Sequence, residues 1–289
     1  MKKVIVILFI FVSLLFVTGC EYKRDQFEDV DIITTIYPTY YVTEKLYGES
    51  SNVVSIYPKG VDINTYKLTA KQLKDFSKKD LFIYNGNSSE REYAKSMIAS
   101  NKNLKIVDAA YGVFEVNSST DVWMNPSNIL MIAQNIKNEL EMNITNSFII
   151  QEIEERYNLL KEDISGLEAE FKKTADNSKN VTIISSDESL LFLEKYGFDV
   201  INITDKGLIK ENNLAKVKSL LNDKKVSYIF VREYQKANST IEDLVNTYKV
   251  SKLTFRTLEN ITEKDAENND DYLSIMYKNI EEIKKETYK

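Results

Sequence analysis

Histidine is absent from this sequence of 289 residues, and cysteine occurs only once, at Cys20. Histidine is the side chain that most often ligates metals and acts as a general base near neutral pH. Without histidine or a second cysteine, neither Ser-His-Asp nor Cys-His catalysis is available, and nitrogen or sulfur ligands cannot build a zinc site. Disulfide bonds within the folded part are excluded as well. Most classes of enzyme are therefore disfavoured, and packing must stabilise the core.

Positive charge is also in short supply, since 38 Lys and Arg residues face 44 Asp and Glu residues and give a formal charge of −6. This balance argues against nucleic acid or an anionic membrane surface as the partner. The acidic residues allow paired carboxylates of the glycosidase type in principle, but no spacing singles out a pair. A solvated acidic surface is the simpler interpretation. We therefore expect a protein that is not an enzyme and binds no nucleic acid.

The N-terminus carries a targeting signal. Lys2 and Lys3 precede an apolar run that ends in Val17-Thr18-Gly19-Cys20, which resembles the lipobox of bacterial lipoproteins. A membrane-spanning anchor or an ordinary secretory signal is the alternative, but the run is shorter than the about 20 residues that a spanning helix needs. We predict a signal peptide over 1–19, an acylated Cys20 with chains such as palmitate, and a tether over 20–29. The protein is then held on the extracytoplasmic face of a bacterial, Gram-positive cell membrane.

Cleavage before Cys20 leaves 270 residues, and the loss of Lys2 and Lys3 takes the formal charge to −8. Short β-branched and aromatic runs alternate with segments of helical period, a pattern typical of parallel βα units. The predicted strands are Asp31–Tyr37, Asn52–Tyr57, Asp80–Asn85, Lys105–Ala109, Val181–Ser185, Asp199–Ile203, Val226–Val231 and Lys252–Arg256. The predicted helices are Tyr41–Tyr47, Thr69–Ser77, Glu90–Ile98, one that begins after Asn125, Ser189–Tyr196, Asn213–Asn222, Thr240–Tyr248 and Asp271–Glu286.

A long polar segment, Thr145–Lys173, separates the two sets of βα units. Its apolar residues recur every three or four positions, which predicts one continuous helix of about 29 residues and roughly 43 Å. They are Ile149, Ile153, Tyr157, Leu160, Ile164, Leu167 and Phe171. A coiled-coil oligomerisation helix would show a similar stripe. We predict an α/β fold with a βα lobe over 30–142, a spine helix over 143–178 and a second βα lobe over 179–289, each lobe with a central, mostly parallel sheet, in a monomer.

Five short segments occur in the order and spacing of a known family. They are Thr34-Thr35-Ile36-Tyr37-Pro38, Pro58-Lys59-Gly60-Val61-Asp62, Asp80-Leu81-Phe82-Ile83-Tyr84-Asn85-Gly86, Val122-Trp123-Met124-Asn125-Pro126 and Asp271-Tyr272-Leu273-Ser274-Ile275-Met276. Together they resemble the zinc- and manganese-binding lipoproteins of ABC importers, over nearly the whole mature chain. The resemblance implies a two-lobed binding protein with a rigid linker that captures a divalent metal ion and delivers it to a permease and its ATPase.

In that family the metal is held between the lobes by three histidines, or two and a glutamate, together with a late carboxylate. The resemblance places other residues at every one of these positions. They are Asn64, Asp121, Ser186, Arg232 and Arg256. Asp187 and Glu188 follow Ser186, and Glu233 follows Arg232, so these three carboxylates are candidate substitute oxygen ligands. The usual metal-ligand histidines are thus replaced.

Two interpretations of the altered cleft remain open. In the first, Asn64, Asp121, Asp187 and Glu233 form an all-oxygen site, which suits a hard ion such as Mn²⁺, Mg²⁺ or Ca²⁺ and disfavours zinc. In the second, Arg232 and Arg256 take the place of the metal and pair with neighbouring carboxylates, or present donors to an anionic or zwitterionic solute. A guanidinium is always charged and repels a divalent cation at close range.

We therefore expect a solute-binding lipoprotein of the metal class of ABC importers with a degenerate metal site. An adhesin or accessory surface lipoprotein that kept the fold and lost transport is the alternative, as is a binder of a non-metal solute. The solute itself does not follow from the fold.

Overall fold

The computed structural model describes residues 29–113, 121–233 and 238–289, which form two α/β lobes linked by two successive helices. The first lobe contains a sheet of four parallel strands in the order β2-β1-β3-β4. Its strands are β1 (Val30–Thr34), β2 (Ser51–Ser55), β3 (Leu81–Tyr84) and β4 (Lys105–Asp108). Its helices are α1 (Tyr37–Tyr47), α2 (Ala70–Phe76) and α3 (Arg91–Ser100), and the linking helices are α4 (Pro126–Asn143) and α5 (Ser147–Asp176).

The second lobe repeats this plan with four parallel strands in the order β10-β9-β5-β6. Its strands are β5 (Thr182–Ser185), β6 (Asp199–Asn202), β9 (Tyr228–Arg232) and β10 (Ser251–Phe255), with a separate hairpin of β7 (Thr204–Asp205) and β8 (Leu208–Ile209). Its helices are a 3₁₀ helix (Glu188–Tyr196), α6 (Glu211–Asn222), α7 (Ser239–Tyr248), α8 (Glu263–Glu267) and α9 (Tyr272–Thr287).

The linking helix α5 is 30 residues long, which corresponds to roughly 45 Å. The side chain of Asn146 caps its first turn by accepting a hydrogen bond from the Phe148 amide at 3.0 Å. Six residues of the predicted apolar stripe are buried: Ile149, Ile153, Leu160, Ile164, Leu167 and Phe171. They pack within the chain, because α5 contacts α1, α4 and α9. The predicted two-lobed α/β fold with a long spine helix is confirmed.

One apolar core runs through the first lobe, α4 and α5 and reaches the face of the second sheet that carries Phe230 and Phe255. A smaller cluster, which includes Ile201 and Val217, covers the opposite face of that sheet beneath α6 and α7. Parallel sheets occur almost only with both faces covered, and here α9 and the 3₁₀ helix cover the first face of the second sheet and pack in turn against the spine helix.

A segment of the second lobe, residues 256–261, reaches the first lobe and is called the crossing loop below. The Gly60 amide donates to the Ile261 carbonyl at 2.8 Å, and the side-chain amide of Asn260 donates to the Pro58 carbonyl at 2.7 Å. The Tyr37 amide donates to the Glu259 carbonyl at 3.0 Å. The crossing loop therefore ties the two lobes together directly, in addition to the spine.

Two local features differ from the sequence prediction. The helix predicted at Ser189–Tyr196 is a 3₁₀ helix over Glu188–Tyr196. The hairpin of β7 and β8 was not predicted, although Lys206 and Gly207 have the positive φ angles, 49° and 78°, that favour a tight hairpin turn. Two-residue strands carry too little periodicity to be recognised in the sequence.

Within the part of the chain that the structure describes, none of the helices is both long and apolar enough to cross a membrane. The predicted signal peptide, Cys20 and the tether up to residue 28 lie outside the described residues, and they stay predictions.

Candidate functional site

The carboxyl ends of the parallel strands in both lobes face the region between the lobes. In each sheet the chain adds strands first on one side of the starting strand and then on the other. The point of reversal lies between β1 and β3 in the first lobe and between β9 and β5 in the second. Ligands of open α/β sheets bind outside such reversal points, where the loops that follow neighbouring strands diverge. Arg232 ends β9 and Asp187 follows β5, so both lie at the reversal point of the second sheet.

Arg232 is the centre of a network of carboxylates between the lobes. Its Nη1 donates to Asp121 Oδ2 at 2.6 Å, and its Nη2 donates to Asp121 Oδ1 at 3.1 Å, which is a two-pronged pairing. Nη2 also donates to Glu259 Oε1, and Asp187 Oδ2 lies 4.0 Å from Nη1. Asn64 joins the network by donating to Glu259 Oε2 at 3.3 Å. The structure thus brings together four of the predicted residues, Asn64, Asp121, Asp187 and Arg232.

One guanidinium faces three carboxylates in this network, so negative charge is in excess. Burial raises the pKa of Glu259 to about 7, and the Asp121 charge adds to the rise while Arg232 opposes it. Burial also raises the pKa of Asp121, of which only 5% is exposed. For Arg232 burial acts to lower the pKa, but the charges of Asp121 and Glu259 outweigh it and hold the pKa above its ordinary value. Arg232 therefore stays charged, and Glu259 takes up a proton near neutral pH.

Arg256 and Glu233 lie in a second, separate network. Arg256 Nε donates to Glu233 Oε2, while Nη1 and Nη2 donate to the two oxygens of Asp265 at 3.0 and 2.9 Å. Glu233 Oε1 accepts hydrogen bonds from the backbone amides of Thr257 and Leu258 at 2.9 and 3.1 Å. Both groups are thus engaged in holding the chain itself, and Glu233 faces Arg256 rather than Arg232.

This second network fixes the path of the crossing loop. Leu258 is fully buried and has φ of 62°, in the left-handed region that a residue with a bulky side chain adopts only when its surroundings impose it. Glu233 holds the amide of Leu258 itself and that of the preceding residue, Thr257, and the next residue is Glu259. Glu233 and Arg256 therefore act as positioning residues that present Glu259 to Arg232.

The remaining two candidates are placed at the edge of the site. Ser186 is held through its backbone, since its amide donates to the Phe230 carbonyl at 2.8 Å and its carbonyl accepts from the Thr204 hydroxyl at 2.8 Å. Glu188 Oε2 accepts a hydrogen bond from the Lys206 amide at 3.3 Å. Burial, with the Asp187 charge beside it, raises the pKa of Glu188. Neither contacts Arg232 among the contacts of the described residues.

A cavity of about 320 Å³ opens next to the Arg232 network, at the reversal point of the first sheet. Asp121, Glu259 and Asn64 form its boundary with the network, and Glu90 and Asn85 lie at its inner wall. The sequence analysis missed Glu90 and Glu259 as site residues. Their positions in the sequence could have indicated them, because Glu90 lies six residues after β3 and Glu259 lies four residues after β10.

The described residues do not fit a conventional metal site. No group of three or more His, Cys, Asp or Glu side chains within 29–113, 121–233 and 238–289 is arranged to hold a metal ion. The carboxylates that come together, Asp121, Glu259 and Asp187, do so around a guanidinium. The chemistry of this donor set is that of an internal ion-pair network.

Comparisons with known proteins agree with the fold. Zinc-binding lipoprotein AdcA of Streptococcus pneumoniae is 21% identical over 315 residues, an alignment that covers 99% of this chain but only 61% of AdcA. High-affinity zinc uptake system protein ZnuA of Bacillus subtilis is 22% identical over 288 residues, covering 89% of this chain and 87% of that protein. The crystal structure of the Zn(II)-bound ZnuA-like domain of Streptococcus pneumoniae AdcA superposes with a TM-score of 0.74 at 20% identity, covering 90% of this chain and all of that domain.

A family model described as ZnuA, zinc-uptake complex component A periplasmic, matches residues 32–286. This match spans both lobes and the spine, and it confirms the resemblance found in the sequence. The chain therefore belongs to the ZnuA family, whose members are solute-binding proteins and not enzymes.

Proposed function

We propose that this protein is the extracytoplasmic solute-binding component of an ABC importer of the metal class, and that Arg232 occupies the position at which relatives bind their ion. Membership of the ZnuA family supports the first part. The lipobox at Cys20 supports anchoring to the outer face of the cell membrane, where a permease is within reach. Capture is non-catalytic, and delivery is to the permease.

The observation that carries the second part is the pairing of Arg232 with Asp121, Glu259 and Asp187. These residues come from the segment before α4, from the crossing loop and from the loop after β5, so the guanidinium joins elements of both lobes. A metal ion bound by ligands from two lobes would join them in the same way. Arg232 supplies this cationic bridge from within the chain.

The guanidinium also opposes entry of a divalent ion. Its pKa is so high that it stays protonated in proteins, and two like charges at about 4 Å repel by several kcal/mol at the effective dielectric constant near a protein surface. AdcA is described as zinc-binding and ZnuA as a zinc uptake protein, but neither histidine nor a thiolate of the folded part is present here to hold zinc. We expect the transported solute to bind beside Arg232 rather than in its place.

Thermal unfolding of residues 21–289, prepared without an affinity tag and treated with a chelator, tests this proposal. We expect no change of the midpoint with Zn²⁺, Mn²⁺ or Ca²⁺. A ligand at 100 times its dissociation constant would stabilise the protein by about 2.7 kcal/mol, which is readily detected. A stabilising shift with one of these ions that is lost in Asp121→Ala would show a working metal site and overturn the second part of the proposal.

The link to an importer has its own test. A photoreactive amino acid placed at exposed positions that follow the sheets' carboxyl ends, such as Tyr111 after β4 and Leu208 in the β7–β8 hairpin after β6, would report contacts of the lipid-anchored protein in intact cells. We expect a cross-linked product that contains a membrane permease. The matched control is the same probe at the exposed Leu159 on the spine. Equal cross-linking from all three positions, or none to a permease, would contradict the transport role.

A further inference from the structure

The cavity beside the Arg232 network has the size of a small-molecule site. Its volume of about 320 Å³ lies at the lower end of the range of such sites, which is about 300 to 1,000 Å³. It lies where the loops after β1 and β3 diverge, with Ile36 on one side and Asn85 on the other. A solute of a few heavy atoms to about a dozen is the occupant that this volume suits.

The cavity wall carries three acidic side chains, and burial raises the pKa of two of them, Glu90 and Glu259, to about 7, so that each is partly ionised at neutral pH. Glu90 is 2% exposed, and no lysine or arginine of the described residues forms an ion pair with its carboxyl group. Its neighbours are neutral: the amide of Asn85 donates to Glu90 Oε2 at 3.3 Å, and Thr35, Ser88 and Tyr57 are further hydrogen-bonding groups beside the carboxyl group. Asp121 and Glu259 also line the cavity, and they share the single guanidinium of Arg232. Buried carboxylates are normally paired with a cation, and among the described residues Arg232 is the one cation that pairs with these acids, through Asp121 and Glu259.

The rest of the wall suits a compact organic cation. Side-chain amides and hydroxyls line it and offer hydrogen bonds without further charge: Asn64, Asn87, Ser88 and Ser89. Tyr57 and Trp123 supply aromatic rings, whose faces attract ammonium groups. Lys67 is the one cation of the described wall besides the buried Arg232 behind it, and it is exposed to solvent. An anionic solute would meet three carboxyl groups, and a bare divalent ion would find no cluster of ligands.

We propose that this cavity binds a small solute that carries a protonated amine, with the ammonium group against Glu90 and the adjoining wall of Asp121 and Glu259. This inference rests on the proposed function, because it names the class of solute that the binding protein captures. The ammonium would favour the ionised forms of Glu90 and Glu259, and it would balance charge for which the described residues provide Arg232 alone. The neutral amides and hydroxyls then hold the remainder of the solute.

Isothermal titration of residues 21–289 tests the proposal with pairs of probes that differ in one group. The amines are ethanolamine, butylamine and putrescine, and each is matched by the compound in which hydroxyl replaces the amino groups, namely ethylene glycol, butanol and butanediol. We expect at least one amine to bind about tenfold or more tightly than its matched alcohol, because only the ammonium pairs with the carboxylates. Equal binding within every pair, or no binding of any amine, would overturn the proposal.

Variants locate the site. Glu90→Gln keeps the shape of the side chain and removes its charge, and we expect it to weaken amine binding about tenfold while leaving any binding of the alcohol unchanged. Asn64→Lys adds a cation at the exposed boundary of the cavity without altering a buried group, so it serves if Glu90→Gln folds poorly, and the same loss is expected. Asn103→Lys, on the exposed loop that precedes β4 at the far edge of the sheet, is the matched control.

Unchanged amine affinity in both Glu90→Gln and Asn64→Lys would overturn this assignment of the cavity. The outcome is separable from that of the metal experiment above. If no amine binds and no ion shifts the unfolding midpoint, the class of solute is wrong while the replacement of the metal by Arg232 stands. If an ion binds through Asp121, the proposed function itself is wrong.

Discussion

Two arginines at the ends of neighbouring strands, Arg232 on β9 and Arg256 after β10, are embedded in opposite electrostatic environments. Arg256 meets the carboxylates of Glu233 and Asp265, which are further satisfied by backbone amides and by Thr262. Although burial alone would raise it, the hydrogen bonds from Arg256 and Thr262 hold the pKa of Asp265 well below its usual range. Arg232 meets three carboxylates, and the pKa of Glu259 is raised to about 7.

The contrast separates a structural ion-pair network from a functional one. In the first, Asp265 is held ionised, and although burial raises the pKa of Glu233, Arg256 and two backbone amides oppose that rise and engage both oxygens of its carboxyl group. In the second, a carboxylate is left partly uncompensated beside a cavity, and such perturbed acids cluster at functional sites. The pairing of Arg256 stabilises the loop, while the pairing of Arg232 leaves charge for something else to balance.

Loss of Arg256 should have the largest effect on stability. Arg256→Met leaves Glu233 and Asp265 buried without a cation, and we expect a loss of about 3 to 5 kcal/mol in the free energy of unfolding. Chemical denaturation measures it, and Mn²⁺ or Ca²⁺ should not restore it. Lys95→Met, which breaks an exposed pair with Glu92, is the control and should cost less than about 0.5 kcal/mol. A loss as small as that of the control would show that the network is not structural.

Loss of Arg232 should cost less and be reversible by a cation. Arg232→Met leaves Asp121, Glu259 and Asp187 facing one another, and we expect a loss of about 3 kcal/mol near pH 8. Because these oxygens then surround the space of the guanidinium, millimolar Ca²⁺ or Mn²⁺ should recover part of the loss, whereas wild type should not respond. The same denaturation curves with and without ion measure this, and identical curves would contradict the role of Arg232 as a substitute cation.

A smaller effect is expected in the pH dependence of the free energy of unfolding, where Glu259 of the Arg232 network should contribute. Burial raises the pKa of both Glu259 and Glu90 from 4.5 to about 7, so the folded state binds these protons more tightly than the unfolded state. The resulting stabilisation is present below about pH 4.5 and is lost as the pH rises through about 7. In Glu259→Gln we therefore expect the free energy of unfolding to fall by about 2 kcal/mol less between about pH 5 and 8 than it does in wild type. Exposed Glu92→Gln is the control, and a slope equal to wild type in Glu259→Gln would contradict the raised pKa.

The smallest effect is expected at Asn64. Asn64→Ala removes an exposed hydrogen bond to Glu259, and we expect a loss below about 1 kcal/mol because Arg232 continues to hold the carboxylate. Denaturation of Asn64→Ala, Arg232→Met and the double variant measures the coupling free energy between Asn64 and Arg232, the two partners of Glu259. A large effect of Asn64→Ala alone would mean that Glu259 depends on the amide rather than on the guanidinium.

The sequence predicted the scaffold better than the site. The predicted strand Val226–Val231 overlaps β9, and the stripe from Ile149 to Phe171, whose spacing of three and four residues is that of a helix, lies within α5. Asp121 and Arg232 were singled out through their place in a family pattern, and the structure pairs them. Glu90 and Glu259 were missed, because their positions depend on loop paths. That of Glu259 follows from the left-handed Leu258 and from contacts across about 25 residues of sequence, which no local pattern reveals.

The crossing loop has a kinetic consequence. Its hydrogen bonds from Asn260 to the Pro58 carbonyl and from Gly60 to the Ile261 carbonyl clamp the lobes at a point beside the cavity. When two lobes must close around a solute, the rate of closure limits the rate of binding. When the lobes are already held together, the solute binds at the rate at which it diffuses through the opening of the cavity. We expect release of a solute to require that these hydrogen bonds break, which would make release slower than entry.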